Sequence, residues 1–196
     1  MKNLKLMRKI KYMPAASVLV AGTLLASSPA NQQTTDLAGA AGSEFRKEAS
    51  ELLRDTRSLA VRLHHDADTL KSLARSSQGS WQTHANHLRL AQEHINSMGK
   101  LLGQLRDIQP QVSPWQKQAV DTIYPVALEL ASRTKAAIVH LNENRNRLFD
   151  PDYQDHLATI AEQAGEMKMS VADFLELGET QEKLARLQEK LEATGS

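Results

Sequence analysis

The sequence predicts an all-α protein: an antiparallel up-down-up-down four-helix bundle with an additional short C-terminal helix, preceded by a cleaved signal peptide. Three observations carry this. Apolar residues recur at spacings of three and four over long segments, the period that gathers side chains on one helix face. Glycine and proline sit almost only where helices should stop. Aromatics make up 4% of the chain and β-branched runs are absent after the first thirty residues, so no segment reads as a strand.

Residues 1–30 are of another kind. The first eleven carry five positive charges (Lys2, Lys5, Arg8, Lys9, Lys11) and no acid. An apolar run, AASVLVAGTLLA at 15–26, leads to Ser28-Pro29-Ala30. Basic, then apolar, then small is the order of a secretory signal peptide. The run is shorter than the ~20 residues that span a bilayer. Cleavage is expected between Ala30 and Asn31, which exports the mature chain to the periplasm or beyond without a stable membrane anchor. Removing the segment leaves 166 residues, 19 basic and 23 acidic, so the net charge becomes −4 instead of +1. A mildly acidic chain gives no electrostatic reason to bind nucleic acid or an anionic membrane. The absence of cysteine excludes a disulfide scaffold, a thiol nucleophile, a thiolate metal site, covalent c-type haem attachment and a lipid anchor on cysteine.

Residues 31–42, NQQTTDLAGAAG, are small, polar and glycine-containing, the composition of a disordered tether. Helix 1 is expected over 44–75 with Ser43 as N-cap. Its stripe is Phe45, Ala49, Leu52, Leu59, Leu63, Ala67, Leu70 and Ala74, widened by Leu53 and Ala60. The loop Ser76-Ser77-Gln78-Gly79 ends it. Helix 2 covers 81–108 behind Ser80, with the stripe Trp81, His84, Leu88, Ala91, Ile95, Met98, Leu102 and Leu105. Gly99 and Gly103 weaken it by ~1 kcal/mol each relative to alanine. Their Gly-x-x-x-Gly spacing has its specific meaning in membrane helices.

Helix 3 opens on Ser113-Pro114-Trp115-Gln116. The serine caps, the proline occupies the first helical position, and the glutamine reaches back to Ser113. The stripe is Val120, Ile123, Ala127, Leu130, Ala131, Ile138, Leu141 and Leu148, with a kink expected before Pro125. Asp150-Pro151 starts helix 4, with Tyr153, Leu157, Ile160, Ala164, Met167, Val171, Phe174 and Leu175 as its stripe. Gly178 is expected to end or bend it. A charged fifth segment follows, with Leu184, Leu187 and Leu191 on one side and Glu179–Lys183 and Glu182–Arg186 as supporting pairs. The domain division is 1–30 signal, 31–42 linker, 43–178 bundle and 179–196 charged C-terminal helix. Three leucines are too few to hold so short a helix alone. That segment must dock on its own bundle, pair with another copy as a homodimer, or fray.

Seven histidines (His64, His65, His84, His87, His94, His140, His156) are the residues that could carry chemistry. Antiparallel pairing sets His84 level with Leu73 and Ile138, brings His87, His140 and His156 near one end, and faces His64 with His94. His84-x-x-His87 and His64 with Asp68 are two-ligand spacings. The Glu-x-x-His of di-iron bundles is absent. Met98 and Met167 face the core by period, where methionine is commonly a gap filler and only secondarily a haem ligand. No Gly-x-Ser-x-Gly, His-Glu-x-x-His or phosphate loop occurs. The expectation is an exported non-enzymatic bundle acting as a binding or scaffolding module for an unknown protein partner, with no catalytic residue and no cofactor assigned. The alternative is a metal- or haem-binding periplasmic bundle using histidines of helices 1 and 2.

Overall fold

A computed structural model of the chain describes residues 31–76 and 79–194, with side chains from Gly42 onward. The expected signal segment lies outside the described residues. Within them the protein is all-helical: α1 (Asn31–Arg75), α2 (Trp81–Ile108), a 3-10 turn (Gln109–Gln111), α3 (Pro114–Glu143) and α4 (Pro151–Thr194). No described helix is long and apolar enough to cross a membrane.

Three of the helix starts are set by local chemistry that the sequence displays. The Ser80 hydroxyl accepts from the Thr83 N–H at 3.2 Å. The Ser113 N–H donates to Gln116 Oε1 at 3.0 Å, the reach-back of a capping box. Asp150 Oδ1 accepts from the Asp152 N–H at 3.0 Å. Each satisfies a donor that a helix start leaves open. α3 ends at Glu143, where Asn144 N–H and Nδ2 both donate to His140 O. Leu148 therefore lies in the following loop instead of on the helix.

Two expected boundaries are corrected. α1 begins at Asn31, so Ser43 is inside the helix and residues 31–42 are its first turns. Leu37, Ala38, Ala40 and Ala41 are good helix formers, and extending an existing helix needs no new nucleus. The separate C-terminal helix is also absent. α4 runs without a break through Gly178 to Thr194. Gly178 is not a stop but a close approach: a Cβ there would lie 2.8 Å from both Cε2 and Cη2 of Trp115.

Neighbouring helices run in opposite directions. Asp66 of α1 meets His94 of α2, and Gln109 at the end of α2 reaches Asp121 of α3. Trp115 early in α3 meets Gly178 late in α4, while His140 late in α3 stacks on Tyr153 early in α4. Gln154 of α4 donates to Ala74 O of α1, and His64 of α1 lies against Ala161 O. The fourth helix thus closes against the first.

The seam residues follow alternating steps of four and three on α1, α2 and α3, and on α4 as far as Val171, where one step of four is repeated. On α1 they are Ala49, Leu53, Thr56, Ala60, Leu63, Ala67, Leu70 and Ala74. On α2 they are His84, Leu88, Ala91, Ile95, Met98, Leu102 and Leu105. On α3 the set Gln116, Val120, Ile123, Ala127, Leu130, Thr134, Ala137 and Leu141 keeps step through Pro125, whose helix is continuous. α4 contributes Tyr153, Leu157, Ile160, Ala164, Met167, Val171, Leu175 and Gly178. A 3.5-residue repeat over most of the four helices is the pattern of a coiled-coil-like seam. It also decides between adjacent stripes. Leu53 and Ala60 are seam residues, and Leu52 and Leu59 are the half-buried flank. Thr134 and Ala137 hold seam positions, Ala131 is exposed and Ile138 is half-buried.

Polar groups in the seam are mostly paired. Thr56 Oγ1 donates to Leu52 O at 2.8 Å. Gln116 Nε2 donates to Arg46 O at 2.7 Å and to Ser50 Oγ at 3.0 Å, tying the start of α3 to α1. Thr134 Oγ1 has no partner.

Candidate functional site

The histidines divide by the direction in which the bundle turns them. His84 occupies the first seam position of α2, and it is fully buried. Its Nδ1 lies 2.9 Å from the Tyr153 hydroxyl. Tyr153 is itself fully buried and stacks on His140 with ring centres 5.4 Å apart. His140 Nε2 stands 3.9 Å from Asp150, the residue that caps α4. His84 Nε2 has no hydrogen-bond partner and packs where a side chain on Gly79 would be, 2.8 Å from that Cβ position.

Burial, and secondarily the nearby His87, pushes the His84 pKa below its ordinary 6.5. Burial pushes the Tyr153 hydroxyl well above its ordinary 10. Both groups are therefore neutral near pH 7. If the tyrosine O–H donates to Nδ1, only the Nε2 proton is left unpaired. If Nδ1–H donates instead, both Nε2 and the tyrosine proton lack partners. The first arrangement leaves fewer orphaned groups, which assigns the Nε2-protonated tautomer. This pair fastens α2 to α4.

His87 and His94 turn the other way, toward α1. His94 Nε2 lies 3.1 Å from Asp66 Oδ2, and His87 Nδ1 lies 3.9 Å from Asp66 Oδ1. One partly buried carboxylate thus bridges two imidazoles a heptad apart. His64 faces α4, with Nδ1 at 3.3 Å from Ala161 O and Nε2 at 3.4 Å from Asp68. Gly165 makes room for it, since a Cβ there would be 3.2 Å from His64 Cε1. His65 is exposed, and His140 and His156 line an open groove with Ser132, Lys135 and Glu143.

Of the two expected two-ligand spacings, His64 and Asp68 do meet, at 3.4 Å and without a third ligand, whereas His84 and His87 diverge. His84 points to Tyr153 while His87 points to Asp66, and His64 and His94 lie on opposite sides of α1. Among the described residues no three His, Asp or Glu side chains are grouped as a metal site would need. Met98 and Met167 are packed in the seam. Tyr153, the partner of His84, and Asp66, the partner of His94, were the residues the spacing analysis did not single out. Pairing helices 3 and 4 about their loop sets Tyr153 level with His140, which would have disclosed the first.

A groove of about 570 Å³ lies between α1, the start of α3 and α4, with Arg46, Lys47, Arg54, Trp115, Gln116 and Glu182 on its walls. Its buried polar side chains, Gln116 and Ser50, already spend their donors and acceptors inside the protein.

The remaining feature is a surface. Every residue of α4 from Glu179 to Thr194 is exposed. These sixteen residues extend the helix by ~24 Å beyond the last seam position, at a rise of 1.5 Å each. Leu184, Leu187 and Leu191 are 55%, 48% and 71% exposed. At about 100° per residue they fall on the side of α4 away from the core, in line with Leu177 and Met169. Five of the nine large apolar residues exposed in the described structure lie on this one face, which separates it from scattered surface leucines. Glu182 pairs with Arg186 at 3.9 Å, whereas the expected Glu179–Lys183 pair does not form.

No protein-family model, no curated protein and no solved structure matches this chain.

Proposed function

We propose that the chain is an exported, non-enzymatic up-down-up-down helical bundle that works as a binding or scaffolding module, with the outer face of α4 as its contact element. The single observation behind this reading is the exposed apolar line from Met169 to Leu191. Keeping it in water costs free energy that folding does not recover, whereas a partner covering it would recover about 25 cal/mol per Å² of apolar surface. The helix carrying it is anchored by the bundle, so the face is presented in helical form and little ordering cost remains at binding. Export follows from the basic, apolar and small-residue order of residues 1–30.

A photo-crosslinking residue in place of Leu187, in the producing cell, tests this. Adducts at Leu187 that vanish with Leu184→Glu, with none from the buried Leu130 position, support the reading. Equal or absent adducts at both positions refute it. The metal- or haem-binding alternative draws on the buried, unpaired Nε2 of His84. One such nitrogen with no second ligand turned toward it supports that alternative less. Metal content and visible absorbance of the purified protein separate the two.

A further inference from the structure

We propose that the outer face of α4 receives an amphipathic helix of a different protein, one that carries acidic residues along the edge of its own apolar stripe. The proposal rests on the binding-module reading above and names the chemistry of the partner.

Leu177, Leu184 and Leu191 repeat every seven residues, with Thr180, Leu187 and Thr194 three further on. That is one strand of a coiled coil lacking its other strand. Lys183 and Lys190 lie along one edge of the stripe, one heptad apart, and neither takes part in an ion pair among the described residues. Gln181 and Gln188 lie along the other edge. Edge positions of this kind select the partner by charge. Two ammonium groups in a row call for carboxylates on the facing helix.

A second copy of this chain fits poorly. In an antiparallel pair, the alignment that sets leucine against leucine also sets Lys183 of one copy against Lys190 of the other, twice. Sliding by one heptad lets Glu176 meet Lys190, but it puts Leu191 opposite Asp173 and Leu184 opposite Thr180. In a parallel pair Lys183 meets Gln188, and no opposite charges face each other. A foreign helix with glutamates facing Lys183 and Lys190, and a neutral or basic residue facing Glu176, meets none of these penalties.

The test uses the full mature chain and two synthetic helices of about three heptads, both with leucine at the apolar positions. One has glutamate at the edge positions that face Lys183 and Lys190 and the other lysine there, with glutamine facing Glu176 in both. Fluorescence anisotropy should show the glutamate peptide binding about tenfold more tightly, the scale set by two exposed ion pairs replaced by two repulsions. Lys183→Glu with Lys190→Glu should invert the order, and Leu187→Glu should abolish binding. Melting should be unchanged in both variants, since these side chains are exposed and lie outside the buried core. Equal binding of both peptides would overturn the acidic partner while leaving the face a binding surface. Binding of neither would overturn both. A dimer by light scattering that Leu187→Glu converts to a monomer would place a second copy on the face and overturn the proposal.

Discussion

Replacing Gly178 by alanine sets two opposed effects against each other. Alanine is the better helix former by about 1 kcal/mol, so at an open site the change stabilises. Gly99 and Gly103 are such sites, with nothing within 4 Å of an added Cβ. At Gly178 the added carbon would be 2.8 Å from two ring atoms of Trp115, against about 3.5–4.0 Å for a carbon pair at rest. The indole is 8% exposed, and a ring atom cannot give way as the tip of a flexible chain does. Overpacking of this kind costs about 1–3 kcal/mol. Gly178→Ala should therefore be neutral to destabilising by about 2 kcal/mol, while Gly99→Ala stabilises by about 0.5–1 kcal/mol. Urea titrations followed by far-ultraviolet circular dichroism read the difference. In Trp115→Leu protein, Gly178→Ala should recover the gain seen at Gly99, a coupling that a double-mutant cycle isolates. If Gly178→Ala stabilises the wild-type chain as much as Gly99→Ala does, the contact that carries α4 through this glycine is not there.

Truncating Leu63 or Val171, both fully buried in the seam, should cost about 2–4 kcal/mol for the leucine and somewhat less for the valine, while half-buried Ile138→Ala should cost less than either. A reversed order in denaturant midpoints would mean the seam is misassigned on α3. Because the folded protein holds His84 neutral below its ordinary pKa, the unfolded chain takes up the proton first as pH falls. The stability due to His84 is thus full above 6.5 and is lost as pH drops from there toward the lowered folded value. Its surroundings supply Tyr153, His87 and His140, and no carboxylate in hydrogen-bond reach to offset the charge. His84→Gln should flatten that part of the stability–pH curve, and an unchanged slope would refute the assignment. N-terminal sequencing of exported protein should begin at Asn31, and an uncleaved chain in the membrane fraction would refute the signal reading.

The starts of α2, α3 and α4 were legible in the sequence because capping is local: a serine or aspartate, its proline or glutamine, and a hydrogen bond within four residues. The apolar faces were legible for the same reason. What was not legible depended on distant partners. A glycine in a helix reads as a stop unless Trp115, sixty-three residues away, is known to lie against it. The choice between Leu52 and Leu53, or between Ile138 and Ala137, turns on a 3.5 repeat against 3.6. That small drift becomes visible only when α1, α2 and α3 are seen to share it along their whole length. Spacing and antiparallel pairing give each histidine its level in the bundle, but Tyr153, Asp66 and the Ala161 carbonyl, all on neighbouring helices, decide where the imidazoles of His84, His94 and His64 point.

A seam of this kind has a unit of length. Inserting or deleting seven residues returns every seam side chain to its face, and any other number swings all that follows by about 100° per residue. The bundle can be rebuilt taller or shorter only in steps of about 10 Å, and only if paired helices change together. The turn between α2 and α3 acts as the ruler, because it lies at the level of Gly178, where Trp115 caps the last layer. Past that level α4 continues, but the positions one and two heptads beyond Leu175 and Gly178 are Glu182, Ala185, Glu189 and Glu192, residues suited to a seam with no roof. Moving the ruler out by two heptads in α2 and α3, with leucine or alanine at those four positions, would enclose the overhang. The same chain would then be a taller closed bundle.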